Sequence, residues 1–123
     1  MFEVKISEVS RDLSAKERVM IKDTGNALRL DELTKDGSFV FSPAAFAVLD
    51  IHNDQSKDNK DYHNYVLLAE GGQKYVTGSD SFWNAFKAIW NEMNGSTEEW
   101  AIEVYQKPSK NRPGKTFISC SLV

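Results

Sequence analysis

The 123-residue chain has a single cysteine, three prolines, two histidines and no long uncharged apolar run. Each scarcity excludes something. One thiol, Cys120, can form neither an internal disulfide nor a multi-cysteine zinc site. It alternates with serines on an apolar face, so an inert buried thiol is expected rather than a nucleophile. Without a long apolar run there is no transmembrane helix to expect. The start, Met1-Phe2-Glu3-Val4-Lys5-Ile6, alternates charged and apolar residues, unlike a secretory leader, and the expected compartment is the cytoplasm. No nucleophile elbow, phosphate-binding glycine loop, kinase signature or zinc-protease motif is present. The carboxylates are scattered, with no pair marked as acid and base. The expectation is a protein that is not an enzyme and needs no cofactor. A net charge of −3, taken as an average, argues against nucleic acid as the partner.

The average hides a second absence. From Val104 to Val123 there is no Asp or Glu, while Lys107, Lys110, Arg112 and Lys115 carry +4. The first 103 residues hold the other 11 basic residues and all 18 acids, a balance of −7. A basic segment therefore sits on an acidic body.

What is present reads mainly as strands. Phe2, Val4 and Ile6 alternate with polar residues, the period of a half-buried strand. Val19 and Ile21 give 17–22 the same pattern. Residues 27–33 read as a strand, with a short helix as the alternative. Phe39–Phe41 is strand-like, and Pro43, lacking an N–H, marks an edge, bulge or exit. Residues 46–51 resume an apolar run. The wholly polar stretch 53–61 predicts a solvated loop. Residues 62–69 and 74–77 form a hairpin about Gly71-Gly72. Residues 79–94 carry Phe82, Phe86, Ile89 and Met93 on one face, flanked by Trp83 and Trp90, the stripe of an amphipathic helix. Ser79, Asp80 or Ser81 can cap its start and Gly95 can end it. The bland role for the two tryptophans is core or subunit contact. Two strands, 99–107 and 115–122, close the chain.

One domain over 1–123 suits this length. Several strands, one helix and two final strands match the OB-fold, a five-stranded Greek-key β-barrel in which the helix at 79–94 plugs the end before the last two strands. The alternative is an open α+β sandwich, a helix on antiparallel sheet.

The chemistry concentrates at the last hairpin. Cations at a loop tip can neutralise phosphates. If Ile102, Val104, Ile118 and Cys120 face inward, Tyr105 and Phe117 face outward and can stack on bases, with Tyr75 or Tyr65 as further rings. Cationic clamp and stacking surface together suit single-stranded nucleic acid. The same residues also read as a lysine-rich solvated hairpin with a cross-strand aromatic pair. Asp50, His52 and Asp54 would share one face of a strand, with His63 nearby, but no recognised ligand spacing occurs, so no metal is expected. The polar loop also fails as a calcium loop: Asn59 replaces the required glycine and Tyr65 the last acid.

The segment Tyr75-Val76-Thr77-Gly78-Ser79-Asp80-Ser81-Phe82-Trp83 and the ending from Val104-Tyr105-Gln106-Lys107 to Phe117-Ile118-Ser119-Cys120 resemble small single-stranded-DNA-binding proteins of phages and mobile elements of Gram-positive bacteria. The resemblance implies an OB-type fold, sequence-tolerant strand binding and a part in phage or plasmid replication or recombination in the bacterial cytoplasm. Its partners would be single-stranded DNA and replication or recombination proteins, with no membrane; a homodimer is compatible with it. It implies that Tyr105, Lys107, Lys110, Arg112, Lys115 and Phe117 form the DNA face. The acidic tail of the cellular single-stranded-DNA-binding proteins is not matched, which leaves tail-borne recruitment in doubt. The competing reading is a protein-binding module, a phage inhibitor or adaptor that engages a host protein through its acidic surface.

Overall fold

The computed structural model describes residues 2–55, 57 and 60–123. Positions 56, 58 and 59 of the expected polar loop, Asn59 among them, lie outside the described residues. Among the described residues, eight strands and three α-helices occur, and the strands fall into two open sheets. The closed five-stranded barrel is therefore wrong, and the open α+β alternative fits. Among the described residues no helix is long and apolar enough to cross a membrane.

The chain divides into two compact units. The first comprises Met1–Leu28 and Ala44–Gly78. It holds most of a sheet in the order β1 (Phe2–Val9), β4 (Pro43–Asn53), β5 (Asp61–Ala69), β6 (Lys74–Thr77) and β2 (Leu28–Arg29). β1 runs antiparallel to β4, with Val4 opposite Ile51 and Ile6 opposite Leu49 before the register shifts between Ile6 and Glu8. One face of this sheet packs Ala47, Leu49, Ile51, Val66 and Val76 around Ile21. Ile21 comes from α1 (Ala15–Lys22), where the alternation of Val19 and Ile21 predicts a strand. The reason lies just upstream. Ser14 Oγ accepts the Glu17 N–H at 3.2 Å and the Glu17 carboxylate accepts the Ser14 N–H at 3.1 Å. This capping box satisfies orphan donors at a helix start. At the other end, Lys74 Nζ donates to the carbonyls of Met20 and Asp23, placing a cation at the negative end of the helix dipole.

The second unit comprises Arg29–Pro43 and Ser79–Val123. Its sheet runs β3 (Phe39–Phe41), β7 (Ile102–Pro108), β8 (Thr116–Leu122). Phe39 stands opposite Val104 and Phe41 opposite Ile102. Here the barrel fails physically: β3 and β4 are neighbours in sequence but belong to different sheets. The chain changes sheet at Ser42, and Pro43 opens β4 at a first position, where a missing N–H is tolerated. A short helix α2 (Leu30–Leu33) fills much of the expected strand 27–33. Gln106 ties it to the hairpin, donating to Asp31 O and Thr34 Oγ1 and accepting from Thr116 Oγ1.

Helix α3 (Asp80–Met93) differs from the predicted span by one residue at each end. Ser79 Oγ accepts the Phe82 N–H at 3.1 Å, and Gly95 takes φ +85° just beyond the end. Phe82, Phe86 and Trp90 are buried. Their rings run in series, Phe82 to Phe86 at 5.8 Å and Phe86 to Trp90 at 5.8 Å, with Trp100 edge-on to Trp90 at 5.9 Å. α3 packs along β8, so the helix expected to plug a barrel instead covers a sheet.

Candidate nucleic-acid interface

The register of β7 and β8 sorts the last hairpin into two faces. Val104 stands opposite Cys120, Tyr105 opposite Ser119 and Lys107 opposite Phe117. Directly opposed residues share a face. Ile102, Val104, Ile118 and Cys120 are buried on one side, and Tyr105, Lys107, Phe117 and Ser119 lie on the other. Burial also pushes the Cys120 thiol up to about 12, because a thiolate loses hydration there. Beyond the strands the chain turns tightly. Ser109 N–H bonds Lys115 O at 2.9 Å, Lys115 N–H bonds Arg112 O at 3.0 Å, and Gly114 takes φ +81°, which a side chain would disfavour.

The two outward rings lie on the same face of the hairpin. They are diagonal neighbours, and each has its own surroundings. The Tyr105 hydroxyl shares a 2.6 Å hydrogen bond with Ser121, and Lys107 Nζ lies 5.6 Å from the Tyr105 ring centroid. A cation in that position is attracted to the ring face and occupies the surface a base would use. Phe117 is 38% exposed. It lines a groove of about 690 Å³ with Ser81, Lys107, Pro108, Ser109, Lys110 and Asn111. The groove thus joins two cations and an exposed ring, with no carboxylate among the described residues of its wall. Arg112 and Lys115 are exposed on the loop outside this lining.

Tyr65 and Tyr75 are not residues of the hairpin. They belong to β5 and β6 of the first unit and are 5% and 4% exposed. Burial raises the Tyr75 hydroxyl above its usual value. Neither ring offers a face to a base.

Ser81 is a groove residue that the sequence offers only as a helix cap. Val123 N–H bonds Ala101 O, so the odd residues of β8 direct their backbone towards β7. The Ile118 carbonyl then points the other way, and Ser81 Oγ donates to it at 2.9 Å. The helix-start signal of Ser79-Asp80-Ser81 is readable from sequence; its proximity to β8 depends on tertiary packing.

The histidines cluster in the first unit, where β4 ends and β5 begins. His52 Nδ1 lies 2.6 Å from Asp61 and its Nε2 lies 2.6 Å from Asp54. His63 Nδ1 lies 2.7 Å from Asp50. Asp61, then Asp54, raises the His52 pKa by hydrogen bonding to the ring, since both nitrogens can donate only in the imidazolium. Among the described residues, no group of three or more His, Cys, Asp or Glu is arranged to hold a metal ion.

A further concavity of about 600 Å³ in the first unit is lined by Met20, Ile21, Leu28, Ala45, Leu68 and Lys74, among others. Two of the charged groups in its wall, Arg11 and Glu17, pair with each other at 2.8 Å.

Comparison with protein-family models, with curated proteins and with solved structures finds no match.

Proposed function

We propose that this protein binds single-stranded DNA with little sequence preference, through the β7–β8 hairpin. The observation that carries the reading is the groove beside Phe117, where Lys107 and Lys110 flank an exposed ring and no acid is among the described lining residues. Phosphates attract cations and release counterions, and every base has a face that can stack on an aromatic ring. Arg112 and Lys115 extend the positive field along the loop. The resemblance to small phage and mobile-element DNA-binding proteins supports the same reading and suggests a replication or recombination setting. The OB barrel lends it no support, because the sheets are open.

The test is a fluorescence titration with a labelled mixed-sequence oligonucleotide at low and moderate salt. Binding should weaken steeply as salt rises, with a log–log slope of about −0.7 per neutralised phosphate. The Lys110→Glu/Arg112→Glu double variant should lose most of it. Absence of binding at low salt, or binding indifferent to that double variant, rules the proposal out.

A further inference from the structure

The groove has a chemical direction, set by one proton on Ser81. A serine hydroxyl has one proton to donate and two lone pairs to accept with. Ser81 Oγ donates its proton to Ile118 O at 2.9 Å. The 2.9 Å contact between the Ser79 and Ser81 hydroxyls must then be donated by Ser79. One lone pair of Ser81 remains to accept a further hydrogen bond at the groove wall.

A phosphate in its usual ionised form offers acceptors and no donor. To bind one, Ser81 would have to release Ile118 O. The cations of the lining, Lys107 and Lys110, come from the hairpin. Nucleotide bases have the complementary asymmetry: each of the four carries an N–H donor on its pairing edge, on a ring nitrogen in thymine and guanine and on the exocyclic amine in adenine and cytosine.

We propose that Ser81 contacts the edge of an unpaired base stacked on Phe117, while Lys107 and Lys110 hold the adjoining phosphates. This inference rests on the nucleic-acid reading of the same groove. It names the ligand more closely: a strand whose pairing edges are free. A duplex uses those donors for its own base pairs. Because every natural base has such a donor, the contact adds selection for unpaired bases without imposing a sequence.

The experiment is a salt series of oligonucleotide titrations on the wild type, Ser81→Ala, Ser81→Thr and Lys110→Gln. Ser81→Ala should weaken binding roughly 2- to 10-fold, the range of one ordinary hydrogen bond, and leave the salt slope unchanged. Ser81→Thr keeps the hydroxyl and should restore most of the affinity. Lys110→Gln should flatten the slope by about 0.7. A strand with abasic positions should bind wild type and Ser81→Ala alike, which separates a base contact from any loosening of α3 against β8. A flatter slope for Ser81→Ala, or an equal loss on the abasic strand, overturns the inference. Wild-type binding that Ser81→Ala leaves untouched overturns it while sparing the parent reading; no wild-type binding to any strand overturns both.

Discussion

His52 Nδ1 lies 2.6 Å from a carboxylate oxygen of Asp61, joining the end of β4 to the start of β5. Asp54 takes the opposite ring nitrogen. Glu3 faces His52 across the β1–β4 ladder, with Lys5 opposite Asp50 two residues along. This surrounding favours the imidazolium. The folded pKa is raised above 6.5, so the stabilisation from His52 is complete below the unfolded value and is lost as pH rises through the folded one. NMR titration of the His52 ring should give a midpoint above 6.5, and Asp61→Asn should move it down. A midpoint at or below 6.5 in the wild type contradicts this.

The two outward rings of the last hairpin should differ in binding. Phe117→Ala should weaken oligonucleotide binding by about 1–3 kcal/mol, the cost of losing one stacked base. Tyr105→Ala should cost less, because Lys107 already lies over that ring and Ser121 holds its hydroxyl. Tyr75→Phe should change nothing in the same titration. Equal losses at Phe117 and Tyr105 would mean that Lys107 leaves the Tyr105 ring open to a base.

Cys120 should be silent towards thiol reagents. Its thiol is buried and pushed up to about 12, and the thiolate is the reactive form. At pH 8 the folded protein should react with a disulfide reagent only as fast as it opens, and in denaturant it should react at once. Rapid labelling of the native protein would mean that β8 is far less protected than its packing along α3 indicates.

Two substitutions test what holds the elements. Ser14→Ala removes half of the capping box of α1 and should cost about 1 kcal/mol, read as a lower urea midpoint. Phe86→Ala empties the centre of the ring series on α3 and should cost about 3–5 kcal/mol. A larger loss for Ser14→Ala than for Phe86→Ala would mean that the cap of α1, rather than the aromatic core, carries the greater share of the stability.

These elements also show what a sequence can and cannot convey. α3 is legible because a serine cap, a wide aromatic stripe and a terminal glycine all specify the same helix. The β7–β8 hairpin is legible because Ile102, Val104, Ile118 and Cys120 keep a strict period of two. α1 reads wrongly as a strand because it buries only Ile21. A helix with one inward residue leaves no stripe, and the two-residue alternation masks the Ser14–Glu17 signal. The barrel fails for a non-local reason, since nothing near Phe39 specifies that its partner is Val104. In the site, the cations and Phe117 are readable from composition and alternation. The burial of Tyr65 and Tyr75 and the reach of Ser81 depend on packing between distant segments.

The change of sheet at Ser42 has a consequence for the order of folding during synthesis. Every residue of the first unit has left the ribosome's active centre by Gly78, so its hairpins can pair early. The second unit contains a segment made before that point, Arg29–Pro43, whose strand β3 has no partner until Ile102–Val104 has been synthesised. During that interval Phe39 and Phe41 belong to an unpaired strand with an apolar side. Long-range pairings of this kind close slowly, and exposed strand edges invite association. Truncated chains ending near Met93 should therefore be more prone to aggregate than the full chain, with β3 as the adhesive segment.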